Sequence, residues 1–158
     1  MATTTEHEPR WLDLEQQRHW RDFLDGAVRL TDALGQQLER DSGLSLSEYE
    51  VLVRLSEAPT RTLRMSELAD ELAQSRSRTT HTIRRMEARG FVERRACKDD
   101  GRGVNCTMTD AGSARLEAAA PGHVAAVREH LVDVLSEPQL RALGEAMAVV
   151  RAALRARR

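Results

Sequence analysis

Aromatic side chains are scarce in this chain of 158 residues, where Phe, Trp and Tyr make up 3% of the sequence. A hydrophobic core must therefore be built from Leu, Val, Ala and Met, and the abundance of Leu and Ala beside Arg and Glu favours helices. Only two cysteines are present, which excludes the disulfide framework of a small secreted protein. The sequence also lacks an apolar run of about 18 residues and a secretory signal at its start. We therefore expect a cytoplasmic protein with no membrane partner.

Common catalytic motifs are missing as well. We find no Gly-rich phosphate loop, no Ser-His-Asp arrangement around a nucleophile elbow and no His-Glu-x-x-His. The five histidines are scattered along predicted helices, and Cys97 and Cys106 are too widely spaced for the ligand pairs of a structural zinc site. These absences predict a protein that is not an enzyme and that has no catalytic residue, cofactor or metal site.

Charge is distributed unevenly, although the net charge of the whole chain is only −1. Residues 1–58 contain six basic and twelve acidic residues, whereas residues 75–103 contain nine basic and four acidic ones. The near-neutral total therefore conceals a middle segment with a net charge of +5. A basic segment of this kind is typical of a protein that binds double-stranded DNA.

Hydrophobic periodicity predicts one mostly α-helical domain with six helices and a small β-hairpin. We expect residues 1–9 to form a flexible tail and the first helix to run from about residue 10 to residue 41, ending near Ser42-Gly43. The later helices should begin at predicted N-caps, namely Ser47 with Glu50, Ser66, Ser75, Thr109-Asp110, and Ser136 with Gln139.

Glycine and proline mark further boundaries. Gly90 should end the fourth helix, and Pro121-Gly122 should kink or break the fifth. A short strand is predicted near residues 62–64. The segments "FVERRAC" and "VNCTMT" alternate in polarity around a Gly-containing tip, which predicts the β-hairpin.

The third and fourth helices, with a tight turn between them and the hairpin after them, form a winged helix-turn-helix arrangement. The predicted inner face of the fourth helix contains Thr79, Thr82, Ile83 and Met86. Its outer face contains short hydroxyl and basic side chains that suit base edges in the major groove, namely Ser77, Thr80, His81 and Arg84. DNA phosphates are the expected partners of Arg76, Arg78, Arg85 and Lys98. A solvated helix face and a winged helix that binds a protein remain alternative interpretations.

The stretch "MSELADELAQSRSRTTHTIRRMEARGFVERRACKDDGRGVNCTMTDAG" resembles the DNA-binding lobe of MarR-family transcriptional regulators, in order as well as in content. The resemblance covers roughly residues 46–113, and the flanking helices fit the same family. It implies a winged helix-turn-helix lobe at residues 46–109 and a helical dimerisation region at residues 10–45 and 110–158. It also implies an intertwined homodimer that binds a pseudo-palindromic operator, as a repressor.

The same resemblance gives the tip of the hairpin, or wing, a role. Arg102 matches the family arginine that enters the minor groove, and Asp100 matches the acid that supports it. Gly101 and Gly103 let the backbone turn tightly. Gly101 stands where the common family pattern has an arginine, so the wing tip of this chain carries one arginine fewer.

Two further properties of relatives are possible here. Many bind small phenolic or aromatic carboxylates that release DNA, and the candidate contacts in this chain are His19, Trp20, Tyr49, His123 and His130. Others sense oxidants, and Cys97 and Cys106 flank the wing tip, where they could lie near each other across the hairpin. The alternative for the cysteines is a pair of small, half-buried residues.

Overall fold

Six helices and a three-stranded sheet make up the chain, as a computed structural model describes it for residues 9–97 and 103–157. The helices are α1 (Leu14–Ser42), α2 (Leu46–Glu57), α3 (Met65–Glu71), α4 (Arg76–Ala88), α5 (Asp110–Val127) and α6 (Glu137–Arg155). The strands are β1 (Thr62–Arg64), β2 (Val92–Ala96) and β3 (Val104–Met108). The predicted fold class, with six helices and a β-hairpin wing, is therefore confirmed. The predicted tail lies almost wholly outside the described residues.

Helix starts show where the sequence interpretation was wrong. α1 begins after Asp13, which forms a capping box with Gln16, rather than near residue 10. The cap of α2 is Ser45 with Glu48, two residues before the predicted pair of Ser47 and Glu50. Both alternatives have the Ser-x-x-Glu spacing, and only packing decides between them.

α3 also starts earlier than predicted. Arg64 occupies the N-cap position, where its backbone N–H donates to Glu67 Oε2 at 3.1 Å. Ser66 therefore lies inside the first turn instead of capping it. The predicted caps of α4, α5 and α6, at Ser75, Thr109 and Ser136, are confirmed.

α5 continues through Pro121 and Gly122, so the predicted break at this point is wrong. The helix packs along α1, and Gly122 lies so close to it that an added Cβ would stand 3.2 Å from Gln37 Nε2. Packing of this kind holds a helix together where local propensity would interrupt it. The irregularity comes later, as a π-helical turn at Arg128–Val132.

The sheet is antiparallel, with β3 between β1 and β2. Together with α2, α3 and α4 it encloses a core of aliphatic side chains, which includes Leu38, Leu52, Leu55, Leu68, Ile83, Met86 and Val92. Thr79, Thr82, Ile83 and Met86 are all buried, which confirms the predicted inner face of α4. The rotation of α4 about its axis is fixed by this packing.

α1 and α6, by contrast, leave large apolar side chains at the surface. The exposed set includes Trp20, Leu24 and Val28 on α1 and Met147, Val150 and Leu154 on α6. None of the residues of α6 is buried within the single chain. Within residues 9–97 and 103–157, no helix combines the length and apolar character that crossing a membrane requires.

Candidate nucleic-acid interface

The outer face of α4 presents the side chains that the sequence predicted for it. Ser75 caps the helix by accepting a hydrogen bond from Arg78 N at 3.2 Å, and the buried inner face turns the opposite side to solvent. Thr80 is half-buried, and the exposed members of the predicted set are Arg76, Ser77, Arg78, His81, Arg84 and Arg85. In the described part of the chain, Arg76, Arg78 and Arg84 form no ion pair. These three positive charges are therefore available to an anionic partner.

Two matching turns set the position of α4. At the end of α3, Ala73 adopts a left-handed conformation with φ of 52°, and Gln74 N donates to Ala69 O at 3.0 Å. At the end of α4, Gly90 adopts φ of 74°, and Phe91 N donates to Met86 O at 3.0 Å. Both are Schellman-type helix ends. The first makes the tight turn of the helix-turn-helix, and the second leads from α4 into the wing.

An ion pair joins α4 to the wing. Arg94 on β2 donates from Nε and NH2 to Glu87 Oε2 at 3.0 and 2.7 Å, and its backbone N–H donates to Glu87 Oε1 at 3.1 Å. These bonds, the side-chain bonds from Arg94 first among them, lower the pKa of Glu87. The base of the wing is therefore joined to α4 by an ion pair and a backbone hydrogen bond.

Glu48 on α2 is a buried carboxylate that faces the flank of α4. Its side chain is 3% exposed, and it accepts from Arg85 NH2 at 3.0 Å, from Arg89 NH1 at 3.4 Å and from Ser45 N at 2.9 Å. Burial acts to raise the pKa of Glu48, but the Ser45 N–H and the Arg85 guanidinium outweigh it, and the pKa lies below its usual value. Arg85 is thus anchored at one nitrogen, while half of its side chain stays exposed. The sequence interpretation placed the capping box two residues later and did not predict these cross-helix partners.

The wing is described up to the edges of its tip. Cys97 N donates to Gly103 O at 2.8 Å, one position beyond the last paired residues of β2 and β3. Lys98, Asp100, Gly101 and Arg102 lie outside the described residues, so their roles stay predictions. Gly103 lies where the tip rejoins the sheet.

The two cysteines are not neighbours, and this part of the sequence interpretation was wrong. Cys106 pairs with Arg94 across the hairpin, whereas Cys97 lies opposite Gly103, so strand alternation places the thiols on opposite faces. Burial raises the pKa of the Cys106 thiol to about 12. The half-buried Cys97 accepts a hydrogen bond from Arg64 NH2 at 3.6 Å. This arrangement does not support an oxidant sensor based on a Cys97–Cys106 disulfide.

The candidate effector contacts do not form one site. The rings of Tyr49 and His123 lie 4.4 Å apart between α2 and α5, and burial lowers the pKa of His123. His130 lines a separate cavity of about 490 Å³ between α1 and α6. Trp20 stacks on Phe23, and His19 is exposed.

Sequence reasoning also missed a cleft of about 360 Å³ between α4 and the wing. Its lining residues are Arg64, Met65, Ser66, Arg76, Thr80, Gly103 and Val104. Arg64 precedes the basic segment by eleven residues, so charge counting along the chain does not associate it with α4. The sheet pairing of Arg64 with Asn105 is what brings it there.

Comparisons with known proteins agree with this geometry. The family model described as "MarR family" matches residues 42–103. Sco3205 of Streptomyces coelicolor, a MarR family transcriptional regulator solved in complex with DNA, is 44% identical, with 94% of this chain and 92% of that chain covered and a TM-score of 0.89. AbsC, another MarR family transcriptional regulator of that organism, is 38% identical, with 94% and 99% covered and a TM-score of 0.87.

A curated relative is matched over a smaller share of the chain. The HTH-type transcriptional repressor YetL of Bacillus subtilis (strain 168) is 31% identical over 106 residues. The match covers 65% of this chain and 64% of YetL. The chain therefore spans slightly less than two thirds of the length of that repressor.

Proposed function

The chain belongs to the MarR family of transcriptional regulators, and we propose that it represses transcription by binding double-stranded DNA in a sequence-specific way as a homodimer. The observation that carries this proposal is the outer face of α4. Exposed hydroxyl, imidazole and guanidinium groups lie together there, opposite a buried face that holds the helix in place. The family is one of DNA-binding regulators and not of enzymes.

The contacts divide into two classes. Ser77, Thr80, His81 and Arg84 would read base edges in the major groove, where Arg bonds guanine and short hydroxyls bond several bases. Arg76, Arg78, Arg85 and Lys98 would bind backbone phosphates, and Arg102 would enter the minor groove. Exposure on one helix face supports the α4 set, whereas Lys98 rests on the positive charge of its segment and Arg102 rests on the resemblance.

Dimer formation is supported by the apolar surfaces of α1 and α6. Exposed tryptophan, leucine and valine side chains on two long helices are typical of an interface with a second copy of the chain. A twofold dimer would bind half-sites about 34–36 Å apart on one face of the duplex. Release of DNA by a small aromatic ligand, like the cytoplasmic location, remains a prediction from the sequence.

The test is fluorescence anisotropy of the purified protein with DNA from upstream of its own gene, across a salt series. The wild type should prefer this DNA to a random duplex, and its affinity should fall steeply with salt because phosphate contacts release counterions. Arg84→Ala should cost roughly 1–3 kcal/mol and relax the base preference at one position of each half-site. Arg102→Ala should weaken binding as well.

A protein-binding winged helix is the alternative, and the same series separates the two. Weak binding without preference for any sequence, unchanged by either variant, would contradict the proposal for this DNA. Selection of ligands from a random duplex library would then show whether any sequence is preferred.

A further inference from the structure

The cleft between α4 and the wing is formed by residues of four elements, β1, α3, α4 and β3. Arg64 ends β1, where it pairs with Asn105 of β3, and its backbone N–H donates to Glu67 at the start of α3. Its guanidinium reaches across the sheet to Cys97 Sγ at 3.6 Å. Arg76 opens α4, and Ser66 is exposed in the first turn of α3. The backbone positions from which these side chains extend are therefore set by the fold.

The chemistry of the cleft suits a phosphate group. Two arginine side chains and the Ser66 hydroxyl line about 360 Å³ of open space, beside Thr80, whose hydroxyl already donates to Arg76 O at 2.8 Å. Guanidinium forks bind phosphate oxygens in a bidentate manner, and Ser or Thr hydroxyls commonly add a further hydrogen bond.

The position of the cleft identifies the source of that phosphate. If α4 lies in the major groove, the wing beside it must lie across one of the two strands that border the groove. That strand passes between α4 and the sheet, and its phosphates come nearer to the cleft than any base edge does. A free phosphate or a protein ligand would have no such reason to lie there.

We propose that Arg64 and Ser66, with Arg76, form a seat for one backbone phosphate of the DNA strand that crosses between α4 and the wing. This inference rests on the proposed DNA-binding function and adds Arg64 and Ser66 to it. The seat sets the register of the protein on the duplex and reads no base. It joins the two parts of the lobe that contact different grooves.

The experiment measures binding of Arg64→Gln to two labelled duplexes, one selected by the wild-type protein from a random library and one with the same bases scrambled. The variant homodimer loses one phosphate contact per protomer, so the slope of log affinity against log salt concentration should fall by about 1.8, which is about 0.9 for each lost contact. Affinity at moderate salt should fall about tenfold for both duplexes alike, because the contact carries no sequence information. The ratio of the two affinities should stay constant.

Arg54→Gln is the matched control. It removes the same charge from an exposed position on α2, where Arg54 pairs with Glu57, away from the cleft. Ser66→Asp is the second variant, because a carboxylate at this exposed position should repel the phosphate and still suit the first turn of α3. It should weaken binding to both duplexes more than tenfold without lowering the melting temperature.

The outcomes separate the seat from the function on which it rests. If Arg64→Gln and Ser66→Asp bind like Arg54→Gln while the wild type discriminates between the duplexes, the seat is wrong and the DNA-binding function stands. If Arg64→Gln changes the preference between the duplexes, Arg64 contacts a base instead. If the wild type selects no duplex at all, the proposed function fails, and the seat fails with it.

Discussion

Glu48 shows at the scale of a single residue how a buried charge joins neighbouring helices. It caps its own helix through Ser45 and binds Arg85 and Arg89 of α4. Arg89 also donates to Gly43 O at the end of α1 at 2.9 Å and lies 4.7 Å from the centre of the Phe91 ring. One carboxylate therefore links the flank of α4 to α2 and, through Arg89, to the end of α1.

Replacing Glu48 should cost stability in a pH-dependent way. Glu48→Gln leaves two guanidinium groups without their acid. Because the Arg85 and Arg89 side chains are 50% and 36% exposed, solvent screening reduces the cost from that of a fully buried pair to about 1–2 kcal/mol of unfolding free energy at pH 7. Because the folded state holds the pKa of Glu48 below its ordinary value of 4.5, this contribution is fully present above pH 4.5. It is lost as the pH falls through the folded-state pKa.

Urea denaturation of the wild type and the variant between pH 7 and pH 3 measures this difference. Glu57→Gln removes an exposed acid of the same helix, paired with Arg54, and should cost no more than about 1 kcal/mol at pH 7. If the difference in unfolding free energy between wild type and Glu48→Gln stays constant down to pH 3, the role assigned to the Glu48 charge is wrong.

At the scale of the element, α3 and α4 end in the same motif with different residues. Gly90 supplies the left-handed position after α4, and Ala73 occupies the equivalent position after α3. The Gly signal made the end of α4 predictable from sequence. The end of α3 carries no such signal, and its turn was placed only by the Ser75 cap that follows.

Exchanging these residues should move stability in opposite directions. A non-Gly residue in the left-handed region costs roughly 1–2 kcal/mol, while glycine loses more backbone entropy on folding. Ala73→Gly should therefore stabilise the protein by about 0.5 kcal/mol, and Gly90→Ala should destabilise it by about 1 kcal/mol. Space is not limiting at Gly90, since a Cβ there would meet no atom within 4 Å.

Urea unfolding midpoints of the two variants measure both effects. The sign at Ala73 is decisive, because Ala73 is exposed and its methyl group has little packing to lose. Destabilisation by Ala73→Gly would show that this turn is not strained by its side chain.

At the scale of the whole molecule, the sequence predicts what local signals determine and misses what only packing determines. Periodicity placed the inner face of α4, because Thr79, Ile83 and Met86 recur at helical spacing. Neighbouring helices decide instead which Ser-x-x-Glu pair caps α2 and whether α5 continues through Pro121. Arg64 joins the candidate site only through pairing of β1 with β3, across more than forty residues of sequence.

The apolar surfaces of α1 and α6 lead to the last prediction. Val150 and Leu154 are 47% and 58% exposed on one side of α6. Burying the exposed half of each side chain contributes roughly 1 kcal/mol, and a twofold dimer buries four of them, two from each protomer. Replacing both by Asp should therefore raise the dimer dissociation constant at least about 100-fold and yield a folded monomer, because neither side chain belongs to the core of the lobe.

Sedimentation velocity of the double variant measures this change, with Ala152→Asp as the control. Ala152 lies on the opposite side of α6 by helical spacing, is exposed, and receives the same type of charge. The control should sediment like the wild type, as a dimer. DNA binding of the double variant should weaken as well, because a monomer engages only one half-site. If wild type, control and double variant all sediment as monomers, the apolar surface of α6 has another partner and the proposed twofold dimer is wrong.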